Sequence, residues 1–146
     1  MKSRREFLAD TCKFCMVAVS AGSILTLFDG CGTEKAVTAT RTDNGHEVKI
    51  PLSSFDKAVR VVVNVPGSEK QILAVKKADG SYLALKLSCT HKGVALNTES
   101  RQLSCPAHGS TFDFDGNVTH GPATRPLKSF SAVVSGTDLL IETEDL

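Results

Sequence analysis

Apolar positions fall into three regimes along the chain. Residues 14–28 form an almost unbroken apolar run, interrupted only by small side chains. Residues 33–46 are polar, show no apolar period, and read as a tether. From Glu47 onward the pattern is that of short strands. Val48, Ile50 and Leu52 alternate along the chain, and the stretch 58–65 is valine-rich around Arg60. The runs 72–75 and 82–87 flank Ala78-Asp79-Gly80, a turn signal that predicts a hairpin. A last pair, Val133-Val134 and residues 139–141, flanks Ser135-Gly136-Thr137-Asp138. No segment after Cys31 carries a helical period of useful length. The pattern predicts an all-β domain, a small antiparallel sandwich, over residues 47–146. It follows an export or anchor segment at 1–31 and a tether at 32–46.

The N-terminal segment carries an address. Ser3-Arg4-Arg5-Glu6-Phe7-Leu8, followed by the apolar run, resembles a twin-arginine export signal. Such a segment is set apart from the fold. As a helix the fifteen residues 14–28 would reach about 22 Å at ~1.5 Å per residue. A hydrocarbon core is ~30 Å thick, so the run is short for a span. It ends in Phe28-Asp29-Gly30-Cys31, and a Cys after Gly behind an apolar run resembles a lipoprotein processing site. Cys31 is therefore a lipidation candidate, with an uncleaved anchor over 14–28 as the alternative and simple release as a lesser one. Either anchor places the protein on a membrane, facing the periplasm or another extracytoplasmic side. Cys12 and Cys15 have the spacing of a redox motif but sit inside the export segment, without a βαβ context.

Charge and composition narrow the partners. The 146-residue chain has a net charge of +1, scattered Lys and Arg, and few aromatics. That excludes a nucleic-acid surface, which needs a basic patch interleaved with aromatics. Chemistry concentrates instead in two clips. Cys89-Thr90-His91 is followed, after thirteen intervening residues, by Cys105-Pro106-Ala107-His108. Each clip turns through a glycine, Gly93 or Gly109. Two thiolates and two imidazoles can hold a mixed-ligand cluster, Cys on one iron and His on the other. The same set can hold tetrahedral zinc, although zinc fingers usually group Cys with Cys and His with His. His46 and His120 lie outside the clips.

With their flanks, CTHKG and CPAHGSTFD, the clips resemble the Rieske [2Fe–2S] family over roughly residues 83–130. The resemblance implies a Rieske-type sandwich with two cluster-binding loops and one [2Fe–2S] cluster per chain. It places Cys89 and Cys105 on the buried iron and His91 and His108 on the outer, reducible iron. It makes Ser110 a hydroxyl donor to a bridging sulfide and residues 121–127 a proline-containing cover. High-potential members add a tyrosine where this chain has Phe112, and a disulfide where it has Val94 and Ala107. They usually carry an apolar residue where Lys92 stands. The implied function is a one-electron carrier, exported and membrane-tethered, without a catalytic residue of its own. Its partner would be a cytochrome, an oxidoreductase or a cytochrome b-type subunit. The alternative is the iron–sulfur subunit of a cytochrome bc-type quinol-oxidising complex; a lesser one is a zinc-stabilised, non-redox binding module.

Overall fold

The computed structural model describes residues 36–144 and 146. The strands are β1 (Ala36–Thr38), β2 (Thr40–Arg41), β3 (Glu47–Pro51), β4 (Arg60–Asn64), β5 (Gln71–Lys76), β6 (Tyr82–Lys86) and β7 (Asn97–Thr98). They continue with β8 (Leu103–Ser104), β9 (Thr111–Phe112), β10 (Val118–His120), β11 (Ser129–Phe130), β12 (Ala132–Ser135) and β13 (Asp138–Glu142). Among the described residues the helical content is one 3-10 turn, Leu52–Phe55. The all-β expectation holds, as do the β5–β6 and β12–β13 hairpins.

Three sheets stack with the order β12-β13-β3-β2, then β1-β4-β5-β6-β11, then β10-β9-β8-β7. Their burial explains why the middle strands are apolar throughout. Side chains alternate between the faces of a strand, so a strand covered on both sides needs apolar residues at every position. On one face of the central sheet, Val61, Val63, Ile72, Ala74 and Ala84 pack with Val48, Ile50, Leu139 and Ile141. On the other, Val62, Leu73, Val75 and Leu85 pack with Leu103, Phe112, Cys89 and Cys105. β3 is covered on one face only and alternates buried with exposed residues.

The expected tether needs correcting over part of its length. Residues 36–41 form β1, parallel to β4, and β2, antiparallel to β3. Ala39 is buried at the crossing between the two sheets, and its N–H donates to the Asn64 carbonyl at 3.0 Å. The Arg41 guanidinium donates to the carbonyls of Gly45 at 2.7 Å and Pro66 at 2.8 Å. These strands are too short and too polar for a periodic signal; pairing with preformed neighbours makes them. The export motif, the apolar run, Cys12, Cys15 and Cys31 lie outside the described residues. Among the described residues no helix is long and apolar enough to cross a membrane.

Gly116 fixes how closely the third sheet approaches the second. Its φ is +88°, and a Cβ there would lie 2.9 Å from Leu85 Cδ2 and 3.4 Å from Leu127 Cβ. Gly45 also has a positive φ, +73°, but a Cβ there would meet open space. Gly45→Ala should therefore show backbone strain alone, about 1–2 kcal/mol. Gly116→Ala should add overpacking, commonly about 1–3 kcal/mol. Urea unfolding of the two variants checks this; equal losses would mean that the contact with Leu85 is not a constraint.

Candidate metal centre

The two clips share one hydrogen-bonding scheme. In the first, Cys89 N–H donates to the Val94 carbonyl at 2.8 Å, and Gly93 N–H to the Cys89 carbonyl at 2.7 Å. In the second, Cys105 N–H donates to the Ser110 carbonyl at 2.8 Å, and Gly109 N–H to the Cys105 carbonyl at 3.0 Å. Each cysteine thus closes its loop onto the residues four and five places further on. The glycine at the fourth place has φ of +70° in one loop and +77° in the other. That region is open to glycine without a Cβ penalty.

Between them the loops sort the four side chains by depth. Cys89 and Cys105 are free thiols, 2% and 3% exposed, within the same apolar cluster as Leu103, Phe112 and Leu127. His91 and His108 are exposed, and their ring centroids lie 5.0 Å apart with planes at 85°. Burial pushes the Cys89 thiol up. The His91 N–H, the side chains of Cys105 and Ser110, and the Lys92 N–H outweigh it and leave the thiol below its ordinary value. Thiolate is the form that binds metal.

A third loop, residues 121–127, is tied to both clips. Thr90 Oγ1 donates to the Arg125 carbonyl at 2.7 Å. Ser110, fully buried, accepts at Oγ from the Ala123 N–H at 3.0 Å. That bond uses the Ser110 oxygen as acceptor and leaves its proton to be donated on the cysteine side. The loop contains a cis Gly121–Pro122 peptide and buries Ala123 and Leu127. Lys70 Nζ and Ser88 Oγ both donate to the Gly93 carbonyl, at 2.8 and 3.1 Å. Sequence reasoning missed the Thr90, Lys70 and Ser88 contacts. Of these only Thr90, which stands between Cys89 and His91, offered a positional hint.

The remaining candidates stay apart from the site. His120 is exposed on β10. His46 is exposed, 3.9 Å from the Glu144 carboxylate, with its carbonyl accepting from Thr143. Phe112 is fully buried beside the cysteines and brings no hydroxyl. Val94 is half-buried and Ala107 exposed.

The donor set fits a two-iron cluster better than one tetrahedral ion. The donors come as an inner thiol pair and an outer imidazole pair. A mixed-ligand cluster needs that separation, because each iron takes one pair.

Comparison with known proteins bears on the same segment. A family model described as "Rieske [2Fe-2S] domain" matches residues 48–131, more than half of the chain. The chain is 49% identical over 103 residues to the cytochrome b6-f complex iron-sulfur subunit 2 of Trichormus variabilis, covering 62% of this chain and 57% of that protein. It is 32% identical over 76 residues to the cytochrome b6-f complex iron-sulfur subunit of Chlorobaculum thiosulfatiphilum, covering 51% and 41%. The chain spans about half the length of the curated relatives it matches. Among solved structures it is similar to a cyanobacterial plasma membrane Rieske protein from Synechocystis, with 27% identity and a TM-score of 0.54. That match covers 64% of this chain and 95% of the other.

The two ties to the third loop should differ in worth. Ser110→Ala strands the buried Ala123 N–H, and an unsatisfied buried donor costs about 1–3 kcal/mol. Thr90→Val frees a carbonyl on an exposed loop, which water can satisfy, and should cost under about 1 kcal/mol. Amide hydrogen exchange at Ala123 should quicken in the Ser110 variant and stay near wild type in the Thr90 variant.

Proposed function

The chain belongs to the Rieske [2Fe–2S] family, and from that premise we propose that it is an exported, membrane-tethered carrier of single electrons serving another exported oxidoreductase or a respiratory chain. That it is a Rieske iron–sulfur electron carrier follows from membership of the family. Its ligands, potential, address and partner are the proposal. The observation that carries it is the pair of congruent loops, with two buried thiols below two adjacent exposed imidazoles.

In this reading Cys89 and Cys105 hold the inner iron, and His91 and His108 the outer one. A bound [2Fe–2S] cluster supplies a one-electron couple. The protein's part is to keep the inner half dry, with Leu103, Phe112 and Leu127 packed around the cysteines. The exposed imidazoles offer a partner the shortest approach. Ser110 donates its hydroxyl proton toward the sulfur side, where extra negative charge gathers on reduction. Such a bond favours the reduced form and raises the potential.

Three features support a carrier rather than a quinol-oxidising subunit: Phe112 lacks a hydroxyl, Val94 and Ala107 cannot form a bracing disulfide, and a charged Lys92 follows His91. The second reading is the iron–sulfur subunit of a cytochrome b-containing complex. Its support is that curated relatives are named as cytochrome b6-f subunits. The address rests on Arg4-Arg5 and the following apolar run, and the anchor on Cys31 or on residues 14–28.

Redox titration tests the assignment. Family potentials span about −150 to +300 mV, and this chain should fall in the middle of that span. A hydrogen bond to a charged group contributes roughly 1.5–3 kcal/mol. For one electron, at 59 mV per tenfold change, this is on the order of 65–130 mV. Ser110→Ala should lower the potential by up to that amount, and Phe112→Tyr should raise it. A wild-type value near the top of the range would favour the quinol-oxidising reading instead.

Cell fractionation tests the address. Arg4→Lys with Arg5→Lys should hold the precursor in the cytoplasm. Cys31→Ser should release the protein from membranes if Cys31 is acylated, and leave it bound if residues 14–28 span. Retention of export in the double lysine variant would exclude the twin-arginine route.

A further inference from the structure

We propose that the clip end of the domain is an electropositive docking face for a redox protein whose electron-transfer edge is ringed by carboxylates. The proposal rests on the reading of His91 and His108 as the outermost ligands. The three loops around these imidazoles, residues 89–94, 105–110 and 121–127, contain Lys92 and Arg125 and no Asp or Glu. Both cations are exposed, and among the described residues neither side chain has an ion-pair partner. Lys70 adds a third cation, held with Nζ 2.8 Å from the Gly93 carbonyl. The exposed Glu69 beside it opposes that charge, so the excess at the tip rests on Lys92 and Arg125.

At the other end of the third sheet both signs of charge are mixed, Arg60 donating to the Ser100 carbonyl and lying over the Phe114 ring. The second clip joins β8 to β9, so the turns closing β7–β8 and β9–β10 lie at the opposite end. Those turns carry Glu99, Asp113 and Asp115, alongside Arg101. Their carboxylates are engaged locally: Glu99 accepts from Ser104 and Gln102, Asp113 from Asn117, and Asp115 pairs with Lys77. The whole chain has a net charge of only +1, so distribution rather than total charge sets the field at the tip.

The loops around the imidazoles also expose small apolar side chains. Pro106, Ala107 and Pro122 are exposed there. Exposed apolar side chains beside cations suit a brief encounter: the charges steer and orient the partner, and the apolar surface allows close approach. Steering of this kind changes association rates by about 10- to 1,000-fold and weakens steeply with salt.

The test uses the full-length, cluster-loaded protein, reduced and mixed by stopped flow with either of two oxidants. Ferricyanide is anionic; tris(phenanthroline)cobalt(III) is cationic. Raising salt should slow oxidation by the first and quicken oxidation by the second. Lys92→Glu with Arg125→Glu should reverse both trends and slow ferricyanide about tenfold or more at low salt. The Arg125 carbonyl that accepts from Thr90 and the Lys92 N–H near Cys89 are backbone groups that both persist in that variant, so its EPR spectrum should match wild type. Polyglutamate should protect the wild-type protein from ferricyanide and leave the variant unprotected. Salt slopes of one sign for both oxidants, or slopes unmoved in a variant with an intact spectrum, would overturn the proposal. Protection by phosphatidylserine vesicles but not by polyglutamate would assign the face to a lipid surface and also overturn it. A wild-type chain without a cluster signal would sink the carrier reading itself, and the spectrum separates that outcome from the others.

Discussion

Burial of Cys89 and Cys105 in the second apolar core is the constraint on which the metal-binding end depends. The two thiols share that core with Leu103, Phe112, Leu85 and Leu127. A thiolate in such surroundings is costly unless charge-stabilising partners are close. At Cys89 the loop supplies them, through the N–H groups of His91 and Lys92 and the side chains of Cys105 and Ser110. The loop shape that aims these N–H groups needs a glycine at positive φ, which is why Gly93 and Gly109 occupy equivalent places. Depth then separates the two kinds of donor. The thiols lie where water is excluded, and the imidazoles stand exposed to solvent.

Ser110 links this centre to the third loop, residues 121–127. Its oxygen accepts from Ala123, and its hydroxyl faces Cys89. One side chain therefore serves the stability of the third loop and the electrostatics of the sulfur pair. Groups joined in this way do not contribute additively. Thr90 makes the matching tie from the first clip. That loop is held from both sides without a disulfide, since Cys89 and Cys105 are the cysteines among the described residues and both are free.

Legibility in the sequence followed the range of the interaction. The strands of the central and first sheets were readable because burial imposes a period of two, or a continuous apolar run, on Val48, Ile50, 61–63 and 72–75. The cysteines and histidines of the clips were readable because the spacing within each clip is local. β1 and β2 were not, because two- and three-residue polar strands have no period and exist only by pairing. The ties that shape the site were hidden for a different reason. Thr90 to Arg125 spans 35 positions and Lys70 to Gly93 spans 23, and neither leaves a mark in local pattern. Charge showed a similar gap: the net value was legible, and the gathering of Lys92 and Arg125 in the loops around the imidazoles required the topology.

The central claim is that one cluster takes two sulfur ligands from Cys89 and Cys105 and two nitrogen ligands from His91 and His108. Electron–nuclear double resonance on the reduced, full-length protein tests it most directly, with iron, sulfide and zinc measured on the same sample. The account predicts two iron and two sulfide per chain, with two imidazole nitrogens coupled to the reduced iron. It also predicts loss of one coupling when either histidine is replaced by cysteine. Stoichiometric zinc without sulfide, or a cluster with no nitrogen coupling, would contradict it.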